Sequence, residues 1–236
     1  MQLYYAHDID TPYVTLDAAE SHHCVKVMRM RIGDLLHLTN GEGVLATAHV
    51  VEADAAACVV AIDNRAEHYG RRGWSLRLAV APTKNADRME WLFEKAVEMG
   101  VDRFTPIVCE RSERRQLKRE RLEKIAVSAM KQSLKTYLPV IDDPVPLAAL
   151  MASLAPDDGT CRLVCHCDGD RMRLTDCYRP MQDALVLVGP EGDFSPDEIG
   201  AALASGFHPV TLGDSRLRTE TAALFATAAI HLLNQQ

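Results

Sequence analysis

Apolar positions along this chain change their spacing near residue 70, and the change separates two sets of predicted elements. Before it, residues 14–16, 35–39, 45–51 and 57–62 form short alternating or apolar runs. Alternation at every second position fits a strand with one buried face. Gly33-Asp34 and Asn40-Gly41-Glu42-Gly43 punctuate these runs as turns. Residues 18–30 predict a short helix carrying His22, His23, Lys26 and Arg29. The expectation for residues 1–69 is therefore a small β-barrel with one helix. After His68-Tyr69-Gly70-Arg71-Arg72-Gly73, strands alternate with helices. Strands are predicted at 76–81, 104–109, 162–167, 184–188 and 208–212, and helices at 121–135, 147–154, 196–205 and 220–234. A further helix starts at a cap, Asn85, repeats Met89, Leu92, Phe93, Ala96 and Val97 at helical spacing, and stops at Gly100. This alternation implies an α/β domain over 74–236, with a mostly parallel sheet covered by helices on both faces.

The alternation directs attention to the loops. Ligands on parallel sheets sit beyond the carboxyl ends of the strands, and two glycine-containing loops lie there. One is Gly189-Pro190-Glu191-Gly192-Asp193-Phe194, and the other is Leu212-Gly213-Asp214-Ser215-Arg216-Leu217-Arg218. The first runs into Ser195-Pro196-Asp197-Glu198, a helix start with a Ser cap, Pro at the first position and a capping-box Glu. An ordinary strand-to-helix turn explains one such loop. Two, the second ending in Arg-x-Arg-Thr-Glu-Thr, point to a ligand site.

Composition narrows the classes. The 236 residues are 47% hydrophobic, ample for a core, and no apolar run reaches about 18 residues, so no membrane span is expected. The opening Met1–Asp8 stretch has no basic segment followed by an apolar one, and a cytoplasmic location is expected. Seven cysteines argue against a disulfide framework. Cys161, Cys165, Cys167 and Cys177 surround His166, but the zinc-type pair spaced by two residues is missing and 161–167 reads as a buried strand, so no metal is expected. The net charge of −7 is unevenly spread: residues 110–135 hold nine basic residues against four acidic, and residues 136–236 hold six against fourteen. A local basic face can bind phosphate despite a negative total. A solvated helix face laced with ion pairs is the alternative.

Gly189-Pro190-Glu191-Gly192-x-Phe194-Ser195-x-x-Glu198 with Leu212-Gly213-x-x-Arg216-Leu217-Arg218-x-Glu220-Thr221-Ala222 resembles the RsmE-type family of ribosomal RNA methyltransferases, in the trefoil-knotted SPOUT superfamily. His23-x-x-Lys26-Val27-x-Arg29-x-Arg31-x-Gly33-Asp34 is similar to that family's PUA-like N-terminal barrel. Lys84, Glu98-x-Gly100, Glu110-Arg111-Ser112 and Lys131-Gln132-Ser133 also match, while Asp193 stands where many relatives carry a third Gly and Lys135 where Arg is frequent. The resemblance implies a knotted SPOUT-like domain beside a PUA-like β-barrel, a homodimer, S-adenosylmethionine as methyl donor, and 16S rRNA or the small ribosomal subunit as partner. The implied reaction is methylation of N3 of a uridine. The implied donor site is Cys165 and His166, Gly189, Pro190, Glu191 and Gly192, and the segment from Leu212 and Gly213 to Leu217. Leu187, Leu212 and Leu217 can supply apolar walls for an adenine, although plain core packing would explain them equally well.

Uridine N3 holds a proton and is a poor nucleophile until that proton leaves. A site for it needs a base and a cation near the flanking carbonyl oxygens. Arg218 is the expected oxyanion partner and Glu220 the expected base or Arg-orienting residue. A structural Arg218–Glu220 ion pair at a helix start is the alternative. RNA contacts are expected from Lys26, Arg29, Arg31, Lys84, Arg88, Arg111, Lys131 and Lys135, mostly to phosphates. A non-catalytic RNA-binding or ribosome-assembly protein, and a knotted methyltransferase acting on another RNA, remain open at this point.

Overall fold

The alternating runs of the first part pair into one five-stranded sheet. The computed structural model describes residues 1–156 and 158–235. Its first elements are β1 (Leu3–Tyr5), β2 (Tyr13–Thr15), α1 (Ala18–His22), β3 (Leu35–Thr39), β4 (Leu45–Glu52) and β5 (Val59–Ala66). The strand order is β1-β3-β4-β5-β2, antiparallel except for the β1–β3 pair. Alternation works as predicted along β4, where Ala46, Ala48 and Val50 are fully buried and the residues between them are half-exposed. These three join Tyr4, Leu36, Leu38 and Val60 in the core.

The single helix predicted over 18–30 is corrected by the structure. Asp17 caps α1 by accepting the Glu20 N–H at 2.8 Å, but the α-helix ends at His22 and widens into a π-helical stretch, His23–Val27. Cys24 and Met30 pack into the same core, with their sulfurs 3.6 Å apart. An unbroken α-helix would place them about 120° apart around its axis. The chain instead turns at Arg29, which takes a φ of 57°.

Residues 1–71 and 127–138 form one compact unit, and residues 72–126 and 139–236 the other. The chain thus returns to the first unit after the linker. Gly43 N–H donates to the Thr136 carbonyl at 2.8 Å, and a Cβ on Gly43 would fall 2.2 Å from the Tyr137 ring. No periodicity announces this return.

The second unit contains β6 (Leu76–Val80), α2 (Ala86–Met99), β7 (Arg103–Val108), the start of α3 (Arg119–Gln132), β8 (Val140–Ile141), β9 (Val145–Pro146), α4 (Leu147–Ala152), β10 (Cys161–Cys165), β11 (Met172–Arg173), α5 (Leu174–Cys177), β12 (Ala184–Val188), α6 (Pro196–Ala204), β13 (His208–Thr211) and α7 (Thr219–Leu233). The sheet order is β11-β13-β10-β12-β6-β7-β8, with β9 on β7, and every pairing is parallel. Asn85 caps α2 and Gly100 ends it in the left-handed conformation, as the sequence predicts. α2 and α7 pack together, with α7 on β6 and β12, whereas α4 and α6 bury Ala79, Ile107, Leu185 and Leu187. Helices therefore cover both faces. β13 sits between β10 and β11, two strands that precede it in the chain. Three loops from strand carboxyl ends converge as a result: those after β10, β12 and β13.

Candidate active site

The loop after β12 is shaped by its first glycine. A Cβ on Gly189 would come within 3.1 Å of the buried Phe194 ring and 3.2 Å of its backbone nitrogen. A side chain here would crowd the Phe194 ring and backbone, so glycine lets the loop fold back this tightly without displacing them. α6 then begins with the predicted capping box: Ser195 Oγ accepts from Glu198 N–H at 3.3 Å, and Glu198 Oε2 accepts from Ser195 N–H at 2.9 Å. Two other segments brace the loop. Arg111 donates to the Gly192 carbonyl at 2.9 Å, and Lys84 N–H donates to Glu191 Oε1 at 2.9 Å.

Beyond β10, Asp168 N–H donates to His166 Nδ1 at 3.3 Å. That bond makes Nδ1 the acceptor and leaves the ring proton on Nε2. His166 is 8% exposed, and its buried Nε2 has no hydrogen-bond partner among the described residues. Burial lowers the His166 pKa, against the opposing pull of Asp193, and Arg171 lowers it further, so the ring is neutral near pH 7. Burial pushes the Cys165 thiol up to about 12, which keeps it a protonated wall residue. Among the described residues no three His, Cys, Asp or Glu side chains gather to hold a metal ion.

The loop after β13 passes Gly213, at φ 120°, and reaches Leu217, Arg218 and the start of α7. Thr219 Oγ1 donates to the Gly189 carbonyl at 3.0 Å and so ties this loop to the one after β12. The three loops enclose a cavity of about 450 Å³. Val188, Pro190, Val210, Leu212 and Leu217 give it apolar walls, and Gly189 and Gly213 expose backbone to it.

The structure brings together most of the residues expected here. Cys165, His166, Gly189, Pro190, Glu191, Leu212, Gly213, Leu217, Arg218 and Glu220 all line the cavity. Leu187 and Gly192 do not. Leu187 points into the core under α4 and α6, because its neighbour Val188 takes the alternate face, and Gly192 backs onto Arg111. Arg88, expected to face RNA, is on the cavity wall with its Nη1 3.6 Å from Glu220 Oε1. Glu220 is thus paired with Arg88, not Arg218. The Arg218 side chain is exposed at the cavity and has no ion pair or hydrogen bond among the described residues. Sequence reading missed the Arg88 role, although both partners sit in the first turns of helices that follow strand ends. It also missed the clamp made by Asp193, whose carboxylate joins two loops.

The remaining basic residues divide by partner. Lys26, Arg29 and Arg31 are exposed. Lys84 Nζ meets Glu113 at 2.8 Å on the surface. Lys131 is engaged by the buried Glu20, and Lys135 is half-buried. Lys131 is therefore held inside its unit and not presented to solvent as a charged face requires.

Residues 72–231 match the model of the RNA methyltransferase domain family, which covers more than half of the chain. The chain belongs to the RNA methyltransferase family. Within it, residues 16–63 match the RNA methyltransferase PUA domain. A probable rRNA-methyltransferase of Porphyromonas gingivalis is 44% identical, covering 100% of this chain and 99% of that one, with a TM-score of 0.93. Ribosomal RNA small subunit methyltransferase E of Neisseria gonorrhoeae, solved bound to S-adenosyl methionine, is 27% identical over 99% and 98% of the two chains, with a TM-score of 0.88. The Bacillus subtilis enzyme of the same name is 27% identical over 94% of this chain and 90% of its own. The chain is an α/β protein, with a parallel sheet covered by helices in one unit and a five-stranded sheet in the other.

Proposed function

We propose that this RNA methyltransferase transfers a methyl group from S-adenosylmethionine to N3 of a uridine in 16S ribosomal RNA of the small subunit. One observation carries the reading: the glycine-loop cavity presents an unpaired cation, Arg218, beside a buried carboxylate, Glu220. The names of the relatives support the RNA class and the donor.

The cavity suits the donor. Its volume lies within the usual 300–1,000 Å³ of small-molecule sites. Its apolar walls and open backbone at Gly189 and Gly213 suit a purine, and the orphaned His166 Nε2–H requires an acceptor. When bound, S-adenosylmethionine supplies a methyl group already activated by a sulfonium. The protein then has to position the uridine and manage its proton. Glu220 accepts the N3 proton on its carboxylate, Arg88 supplies the counter-charge that orients it, and Arg218 stabilises the negative charge that spreads to the flanking carbonyl oxygens. Glu220 is buried in the cavity wall, whereas Arg218 is exposed at the cavity.

The deciding experiment is mass mapping of 16S rRNA from cells lacking the protein. One methyl missing from a single uridine base is the expected result, and an unchanged methylation pattern would sink the proposal. RNA affinity should come from Lys26, Arg29 and Arg31, and from Lys84, Arg111 and Lys135, through phosphate contacts. It should fall steeply as salt rises from about 50 to 200 mM, and a flat salt profile would contradict this role. We also propose a homodimer. Phe225 and Leu232 are exposed seven residues apart on α7, hence on one face, and Trp91 is exposed on α2. Sedimentation at the rate of a single chain would remove the dimer from the reading. No helix among the described residues is long and apolar enough to cross a membrane.

A further inference from the structure

Asp193 is in an unusual position for a residue with a side chain. Its φ of 61° lies in the left-handed region that favours glycine. What holds it there is its own carboxylate. Oδ1 accepts from Phe194 N–H at 2.8 Å within the loop after β12, and Oδ2 accepts from Cys167 N–H at 2.8 Å in the loop after β10. Its backbone N–H closes the turn onto the Pro190 carbonyl at 2.9 Å. One side chain therefore clamps two walls of the cavity, and Asp193 itself lines that cavity.

A glycine would satisfy the backbone here without a clamp or a charge. The carboxylate brings a negative charge to the β10–β12 side of the cavity, where Cys165 and His166 both sense it. The other carboxylates of the wall are differently engaged: Glu220 is neutralised by Arg88, and Glu191 is exposed and tied to the Lys84 backbone. Arg216 and Arg218, the cations without a partner among the described residues, come from the loop after β13. Arg171 also lines the cavity and donates to the His166 carbonyl at 3.0 Å, so on this side Asp193 stands beside one cation, while the loop after β13 contributes Arg216 and Arg218 without a carboxylate on the cavity wall.

We propose that Asp193 is a positioning and specificity-determining residue, which locks the two loops together and makes the cavity prefer the cationic methyl donor to its uncharged thioether product. The inference rests on the proposed function, since it needs a sulfonium ligand. The donor carries one positive charge at sulfur that the product lacks, so a nearby carboxylate attracts the first and is indifferent to the second. Such a preference favours release of product after each turnover.

Calorimetric affinities separate the clamp from the charge. The ligands are S-adenosylmethionine, S-adenosylhomocysteine and sinefungin, an analogue with an ammonium in place of the sulfonium. Asp193→Asn keeps the side-chain shape, removes the charge and loses one acceptor. Loosened loops weaken all three ligands alike, whereas the lost charge weakens only the cationic two. The expected result is that the preference for S-adenosylmethionine over S-adenosylhomocysteine falls roughly fivefold, with sinefungin following the donor. Asp193→Gly, whose backbone accepts the same φ without strain, should lower the preference to the same extent and guards against misfolding of the Asn variant. Equal losses for all three ligands in both variants would reduce Asp193 to a structural clamp and overturn the specificity role. Failure of the unsubstituted protein to bind S-adenosylmethionine would instead refute the functional reading beneath it.

Discussion

Replacing Arg218 with alanine lowers the methyl-transfer rate by about 10²–10³-fold and leaves S-adenosylmethionine affinity within about twofold of the unsubstituted protein. The size follows from the role. As the uridine proton leaves, negative charge spreads to the two carbonyl oxygens beside N3. A pre-placed guanidinium stabilises that charge far more in a walled cavity than in water. Arg218 is suited to this because its side chain has no structural partner to abandon: its guanidinium has no ion pair or hydrogen bond among the described residues, and the residue stands at the N-terminal boundary of α7. Its removal should leave the melting temperature nearly unchanged, as expected for an exposed side chain. Single-turnover rates at saturating donor, beside calorimetric donor affinity, check the assignment. Lost donor binding with a normal rate at saturation would place Arg218 in the donor site instead.

The Glu220→Gln variant should lose about 10²–10⁴-fold in rate. Glu220 is 7% exposed, and Arg88 pairs with it at 3.6 Å. Glutamine retains the volume but accepts no proton, and it leaves Arg88 without its counter-charge. A purely structural pair would give a similar loss of stability, so the rate alone does not separate the two roles. Alkaline rescue does. In the variant, uridine must ionise without help from the protein, and its rate should climb about tenfold per pH unit until the base is ionised. A variant rate that stays low and flat with rising pH would leave Glu220 as an Arg88-binding strut. Arg88→Ala supplies the complementary result: a smaller loss, without the tenfold climb per pH unit of the Glu220→Gln variant, because the base is still present but poorly oriented.

Much of the site was legible in the sequence because its loops are written in local chemistry. Asn85 before an apolar 3.6-residue repeat, Ser195 with Glu198 three residues later, and Gly189 where backbone must fold back on Phe194 each act over a few residues. Strand alternation placed both glycine loops at strand carboxyl ends before any pairing was known. Local rules also misled where tertiary packing overrode them. Residues 18–30 have helical spacing, but the chain widens into a π-helical stretch where Cys24 is buried and Met30 packs against the same core. Leu187 read as a cavity wall, and the pleat put it in the core.

The order of elements, their caps and turns, and the chemistry carried by the two late loops were determined by the amino-acid sequence alone, since these depend on neighbours a few positions away. Tertiary structure alone decided that β13 enters between β10 and β11, that residues 127–138 rejoin the N-terminal unit, that Lys131 serves Glu20, and that Glu220 faces Arg88. Each of these joins groups widely separated along the chain. Their pairing is set by which surfaces can be buried together and which charges can be matched in the folded state, and periodicity along a single chain has no access to either.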